Sequence, residues 1–326
     1  MSGATQDAKL AIITVTHDSG HILPAWIDSL EAIPERDLLE LCVVDSGSSL
    51  SQLALMKEQA SGRVDRFLAL PNVGYGSACN AGADSTPAPV LLFTNPDIRI
   101  RSLPVRALNG DGLADGLFGA FAVAPHRSLG FAQLPRWTDE ARKLLLGRWA
   151  GGYERCAISP AWVSGAALLI GRESFERIGG FSPAFFMYFE DADLCARHRC
   201  AGGKVELDDG FVVHHGSGKS VDEGLQGSLP AALDAVSRLS SRGFAARYGR
   251  PWHRPVLFAL LALVYAPRRF LSLLVRDRQS LRSGIDSVAC LLWPRRALRE
   301  LNAQHYDAPD RKPSSGPPLY GFHRAT

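Results

Sequence analysis

The chain has 326 residues, 46% of them hydrophobic and 21% charged, which excludes a disordered or fibrous protein and allows one large domain with an appendage or two modest ones. Its net charge of +3 hides an asymmetry. Residues 1–220 carry 20 basic against 25 acidic side chains, whereas residues 221–326 carry 16 against 8, so the last third presents a different kind of surface.

Residues 10–16 form a compact β-branched run ending in polar residues, the pattern of a buried parallel strand. The spacing of Leu23, Trp26, Ile27 and Leu30 predicts a helix over 22–32. A second strand of the same type covers 39–45 and ends in Asp45 before the turn-forming Ser46-Gly47-Ser48-Ser49. A helix over 52–60 and a strand over 66–70 complete a β-α-β-α-β series, which predicts a doubly wound sheet with ligands outside the carboxyl ends of its strands. Asp18, Asp45 and the loop after Leu70 stand at such ends.

The glycine-rich stretch 71–82 opens a helix after a strand, but a dinucleotide fingerprint requires glycine where Cys79 stands. Residues 90–97 form a fourth buried strand ending in Asn95-Pro96-Asp97. A carboxylate there suits a divalent metal shared with a diphosphate, and equally an ordinary turn. Between 101 and 160 the pattern weakens, with a strand near 117–123, a loop near 127–135 and a helix over 140–149. A strand over 163–170 and a helix over 172–178 follow, then short strands at 204–207 and 211–213.

Glu190, Asp191 and Asp193 follow an aromatic run, three acids within four residues. Such a cluster serves a general base, a metal or the binding of hydroxyls, or simply complements the dipole of a helix over 192–199. Two apparent motifs fail on spacing. Gly218-Lys219-Ser220 has Val213 where a P-loop needs glycine, and Cys195, His198 and Cys200 do not converge on a zinc ion.

In this order the pieces resemble a family 2 glycosyltransferase of the GT-A fold, in the bacterial rhamnosyltransferase-like branch. They are residues 12–19, Val43-Val44-Asp45-Ser46-Gly47-Ser48, Asn72-Val73-Gly74 with Asn80-Ala81-Gly82, and Phe93-Thr94-Asn95-Pro96-Asp97. Ser164-Gly165-Ala166, Gly179-Gly180-Phe181, Phe189-Glu190-Asp191-Ala192-Asp193-Leu194 and His214-His215 follow. The resemblance covers residues 9–220 and implies a mostly parallel, doubly wound α/β sheet with a C-terminal helical extension. It implies an inverting, metal-dependent transfer from a dTDP- or UDP-sugar, rhamnose being one candidate sugar, to a glycan acceptor that is lipid-linked. Asp191 would be the general base, with Glu190 and Asp193 orienting hydroxyls. Thr16, Asp18, Asp45, Gly74, Asn80 and Asn95 would seat the donor, and Asp97 with His214, or His215 in its place, would hold Mg²⁺ or Mn²⁺. Asn95 replaces the first acid of a D-x-D motif, and His17-Asp18 and Ser46 replace the usual Tyr-Asn and Asn.

The expected organisation is a catalytic domain over 1–220, a basic helical region over 221–305 and a flexible tail over 306–326. Arg268-Arg269, Arg276-Asp277-Arg278 and Arg295-Arg296 flank leucine-rich faces, a pattern that suits an anionic membrane surface; a helical cap or a homo-oligomer interface is the competing use. No nucleic-acid motif accompanies these charges. Residues 255–267 are too short to span a bilayer, and their extension to 275 would bury Arg268 and Arg269. Six scattered cysteines and a polar lead over 1–9 fit a reducing, cytoplasmic setting at the membrane's inner face. The contrasting reading is a catalytically weak glycan-binding or scaffold module of the same fold. A nucleotide-sugar dehydrogenase or epimerase is opposed by Cys79 and by the lack of a Tyr-x-x-x-Lys pair.

Overall fold

The computed structural model describes residues 8–123, 128–136, 154–156, 158–215, 244 and 247. Its first half follows from the apolar runs. Strand β1 (Leu10–Thr16) is flanked in parallel by β2 (Leu39–Ser46) and β4 (Val90–Thr94), and β3 (Arg66–Leu70) extends β2 at the sheet's edge. Helix α1 (Leu23–Glu31) carries Pro24 in its first turn and buries the four residues whose spacing predicts it. Trp26 reaches through to donate its indole N–H to the Thr94 hydroxyl at 3.0 Å. Helix α2 (Leu50–Ala60) follows β2, and α3 (Tyr75–Asp84) lies tight on the sheet. That approach needs Gly82, where a Cβ would lie 2.5 Å from an Ile13 methyl.

The second half departs from a simple parallel order. Strand β9 (Ala167–Gly171) runs antiparallel between β4 and β6 (Gly116–Ala122), and β10 (Lys204–His215) is parallel to β6. Strand β5 (Ile98–Ser102) closes the sheet antiparallel to β10, giving the order β3-β2-β1-β4-β9-β6-β10-β5. A two-stranded piece, β7 (Gly130–Phe131) with β8 (Trp162–Val163), stands apart. Three short or mid-length α-helices, α4 (Arg106–Asn109), α5 (Arg172–Arg177) and α6 (Glu190–Cys200), and a 3-10 turn (Arg36–Leu38) complete the described elements. Four of the seven pairings in the large sheet are parallel, so it is mixed, parallel-dominated and α/β in class.

Several boundaries differ from expectation. The strand expected over 163–170 is two strands, broken at Ser164–Ala166, and the two expected over 204–213 are one. Between Leu207, which faces Gly119, and Val212, which faces Phe121, β10 advances five residues while β6 advances two. That wide bulge keeps the strand continuous where its sequence, Asp208-Asp209-Gly210, reads as a turn. Helix α6 begins at Glu190, so the acids lie inside its first turn. The helix expected over 140–149, the C-terminal helices and Gly218-Lys219-Ser220 lie outside the described residues.

The chain divides into two compact units. The first, residues 1–134, 153–183 and 190–223, holds all ten strands and the six α-helices above. The second takes 135–152, 184–189 and 224–326. Among its described residues Phe185 and Phe189 pack on Phe244, with ring centroids 6.4 and 5.9 Å apart. Tyr188 and Phe189 both have φ of 69°, the left-handed region that side-chain-bearing residues rarely occupy.

Candidate active site

The topology gathers the candidate residues at one edge of the sheet. β1, β2 and β4 end there, and β10, which runs in the same sense as β4, brings His215 to it. β9 and β5 run the other way and start there, β5 one residue beyond Asp97. The Asn95 N–H donates to the Ala166 carbonyl at 3.0 Å, which joins the turn after β4 to the residues that open β9.

At the ends of β1 and β2 the buried Thr16 hydroxyl lies 3.5 Å from Asp45 Oδ1. Asp45 is itself buried, and burial lifts its carboxyl above the usual range while hydrogen bonds from the Ser48 hydroxyl and N–H pull it back. His17 Nδ1 lies 2.9 Å from the Ser46 carbonyl, which can only accept, so this nitrogen carries the proton. Asp18, with φ of 49°, accepts from the Ser49 N–H at 2.9 Å and its hydroxyl at 3.0 Å. It therefore ties the first loop to the N-terminus of α2, where an acid complements the helix dipole.

Of the other residues expected at the donor, Gly74 has φ of 85° and caps α3, a conformation that calls for glycine. Asn80 donates to the Phe181 carbonyl and accepts from the Phe181 N–H, both at 2.9 Å. Its amide thus acts as a clamp on the segment before α6. Asn95 shapes the turn after β4, its carbonyl accepting from the Ile98 N–H at 3.1 Å.

Asp97 is 4% exposed, and His215 Nε2 stands 3.7 Å from its Oδ2. His214, one residue earlier in the strand, is exposed. The neighbour of Asp97 is therefore His215 and not His214, because alternation puts His215 on the side of the buried Phe211 and Val213. That alternation was visible in the sequence. A carboxylate and an imidazole offer the oxygen and nitrogen donors a divalent cation takes, so the residues fit Mg²⁺ or Mn²⁺. Among the described residues no three His, Cys, Asp or Glu side chains group as ligands, so an ion here would take its remaining ligands from phosphate oxygens and water.

The acidic cluster separates into three environments. Asp191 is half-buried, with Oδ2 accepting from the Gly165 N–H at 2.9 Å and Oδ1 from the Ala192 N–H at 2.8 Å. Burial pushes its carboxyl up to about 6 against the pull of these donors. Glu190 is 6% exposed, and its Oε2 has no hydrogen-bond partner. Burial, and then the charge of Asp191, raise it well above the usual range. Asp193 is fully buried and paired with Arg197 at 2.8 Å, one turn along α6, while Arg197 also binds the Ile178 carbonyl. It ties α6 to the loop after α5.

Two residues behind Asp191 carry no chemical signature in the sequence. The Tyr75 hydroxyl donates to the Gly165 carbonyl at 2.8 Å. Gly165 is the close approach between them, since a Cβ there would lie 3.3 Å from the Asp191 Cβ and 3.5 Å from the Tyr75 ring.

Comparison with known proteins bears on the family and the fold. Residues 11–101 match the model of the glycosyl transferase family 2 domain. The chain is 27% identical over 283 residues to an N-acetylglucosaminyl-diphospho-decaprenol L-rhamnosyltransferase of Mycobacterium tuberculosis, covering 77% of this chain and 89% of that protein. It is 30% identical over 90 residues to the rhamnosyltransferase WbbL of Escherichia coli, covering 26% of this chain and 34% of that protein. Among solved structures, a mannosyltransferase of Pyrobaculum calidifontis in complex with GDP-Man and Mn²⁺ shares the fold at a TM-score of 0.50 and 16% identity, over 92% of this chain and 81% of that one.

Proposed function

We propose that this glycosyltransferase, whose residues 11–101 match the glycosyl transferase family 2 domain, moves a sugar from a dTDP- or UDP-sugar to a lipid-linked glycan with inversion at the anomeric carbon. The observation that carries the reading is Asp191. Two backbone N–H groups hold its carboxylate in place, and a pKa of about 6 leaves it ionised yet basic near neutral pH, which suits a general base.

In the displacement, the acceptor hydroxyl gives its proton to Asp191 as its oxygen bonds to the anomeric carbon. The bond from that carbon to the phosphate oxygen breaks, and its electron pair leaves on the nucleoside diphosphate. One displacement from the far side inverts the centre. Glu190 orients a hydroxyl beside Asp191. Thr16 and Asp45 form the floor for the nucleoside, Asp45 accepting from a uracil or thymine N–H. Asp97 and His215 would hold Mg²⁺ or Mn²⁺, which when bound stabilises the charge on the departing diphosphate.

The Mycobacterium tuberculosis relative, named for a diphospho-decaprenol acceptor and for rhamnose, supports a lipid diphosphate acceptor and keeps rhamnose first among candidate sugars. Manganese in the Pyrobaculum calidifontis protein supports a divalent ion. The 16 basic against 8 acidic residues of 221–326 support contact of that region with an anionic membrane at its cytoplasmic face. The assay is nucleotide release and sugar transfer from dTDP- and UDP-sugars, with and without Mn²⁺, by wild type and Asp191→Asn. Loss of about 10²-fold or more in the variant is expected; transfer at the wild-type rate would sink the assignment of the base.

A further inference from the structure

Asp45 is 1% exposed, and a carboxylate so deeply buried keeps its charge only where hydrogen-bond donors reach it. Ser48 supplies two of them. Its hydroxyl donates to Oδ1, and its N–H donates to Oδ2 at 3.2 Å. The Thr16 hydroxyl adds little, since it has one proton to give and lies 3.5 Å from both Asp45 Oδ1 and the Val44 carbonyl. Burial lifts the Asp45 carboxyl, and the two Ser48 bonds are the largest influences that lower it, ahead of the charge of His17.

The Ser48 hydroxyl is itself held. The Asp18 N–H donates to its Oγ at 2.7 Å, and because an N–H can only donate, the single hydroxyl proton goes to Asp45. Asp18 aims that N–H with φ of 49°, in the left-handed region, where strain persists only if the surroundings enforce it. Ser49 enforces it here, placing its N–H and hydroxyl on Asp18 Oδ1. Ser49 thus fixes Asp18, Asp18 fixes the Ser48 hydroxyl, and Ser48 fixes the carboxylate. Of the two oxygens, Oδ2 takes one hydrogen bond and keeps a lone pair for another donor. The ring N–H of uracil or thymine is a donor of that kind.

We infer that Ser48 and Asp18 are positioning residues that keep the Asp45 carboxylate fixed as an acceptor, and so set the preference for a nucleotide whose base carries a ring N–H. The inference rests on the contact of Asp45 with uracil or thymine in the proposed function. It gives Asp18 its part through Ser48 and not through a contact of its own with the nucleoside.

The test is calorimetric binding of UDP-glucose and dTDP-glucose, each beside its N3-methyl derivative, which lacks the ring N–H. Wild type should bind the parent nucleotides roughly tenfold to a hundredfold more tightly, the worth of a hydrogen bond to a charged group. Ser48→Ala should lose most of that preference through weaker binding of the parents, and Ser48→Thr, which keeps the hydroxyl, should retain it. Asp18→Ala should lose part of it. Asp18→Asn should not, because its side-chain oxygen still accepts from Ser49 and asparagine tolerates the left-handed region. An undiminished preference in Ser48→Ala would overturn the inference and leave the Asp45 reading in place. So would an equal loss of affinity for parent and derivative, the result of merely loosened loops. An unchanged preference in Asp18→Ala would strike Asp18 from it. A wild type that binds neither nucleotide, or binds parent and derivative alike, would remove the Asp45 reading and this inference with it.

Discussion

Glu190 and Asp191 are neighbours in sequence but meet different surroundings: burial lifts both carboxyls, the charge of Asp191 lifts Glu190 further, and the N–H groups of Gly165 and Ala192 pull Asp191 back. Asp191 has two backbone N–H groups to stabilise its anion, whereas Glu190 Oε2 has no partner. A pH profile of kcat/KM should therefore rise with a midpoint near 6, where Asp191 loses its proton. The same shift acts on stability with a definite sign. The folded pKa lies above the unfolded value, so the folded state holds the extra proton between about 4 and 6. The stabilisation is full below the unfolded pKa and is lost as pH rises through the folded one. Relative to wild type, Asp191→Ala should thus gain on the order of 1–3 kcal/mol between pH 4 and pH 7, whatever constant cost the truncation brings. Parallel denaturation curves at the two pH values decide this, and equal differences would refute it.

At the scale of elements, the base is held by the first turn of α3 and the break before β9. Tyr75 fixes the Gly165 carbonyl, and the Gly165 N–H fixes Asp191. Tyr75→Phe deletes one hydroxyl and should lower kcat by roughly fivefold, the worth of one hydrogen bond, with the acidic limb of the profile moving upward and the donor KM holding. A loss of thermal stability with an unmoved limb would instead make Tyr75 a packing residue. The sequence showed the parallel elements well, since β1, β2 and β4 are buried on both faces and read as continuous apolar runs. It concealed the break at Ser164–Ala166, because an apolar run does not say where the chain turns. It concealed β5 for a different reason, since Ile98 to Arg101 alternates like a half-exposed strand but begins straight after a proline turn. Of the site, the acids were legible as chemistry, but their separate environments were not. The ion pair of Asp193 and the clamp of Asn80 depend on Arg197 and Phe181, and no spacing rule links either pair to catalysis.

On the scale of the whole molecule, the antiparallel β9 and the returning β10 bring residues from distant parts of the chain to the edge where the parallel strands end. His215 belongs to the site only through that return. If Asp97 and His215 share a cation, His215→Ala should raise the Mn²⁺ concentration for half-maximal activity by roughly tenfold, and His214→Ala should not. Titration of activity with Mn²⁺ in both variants separates them, and the opposite ranking would move the ligand back to His214.

The bulge in β10 gives that choice a numerical basis. Against its neighbour, the strand carries three surplus residues between Leu207 and Val212, an odd number, and so it turns over once on its way to the active edge. Val205 lies across from Leu117, but Phe211 and Val213 enter the core with Ala120. The surplus therefore acts as a parity counter. With an even surplus the same two histidines would arrive with their faces exchanged, and His214 would meet Asp97.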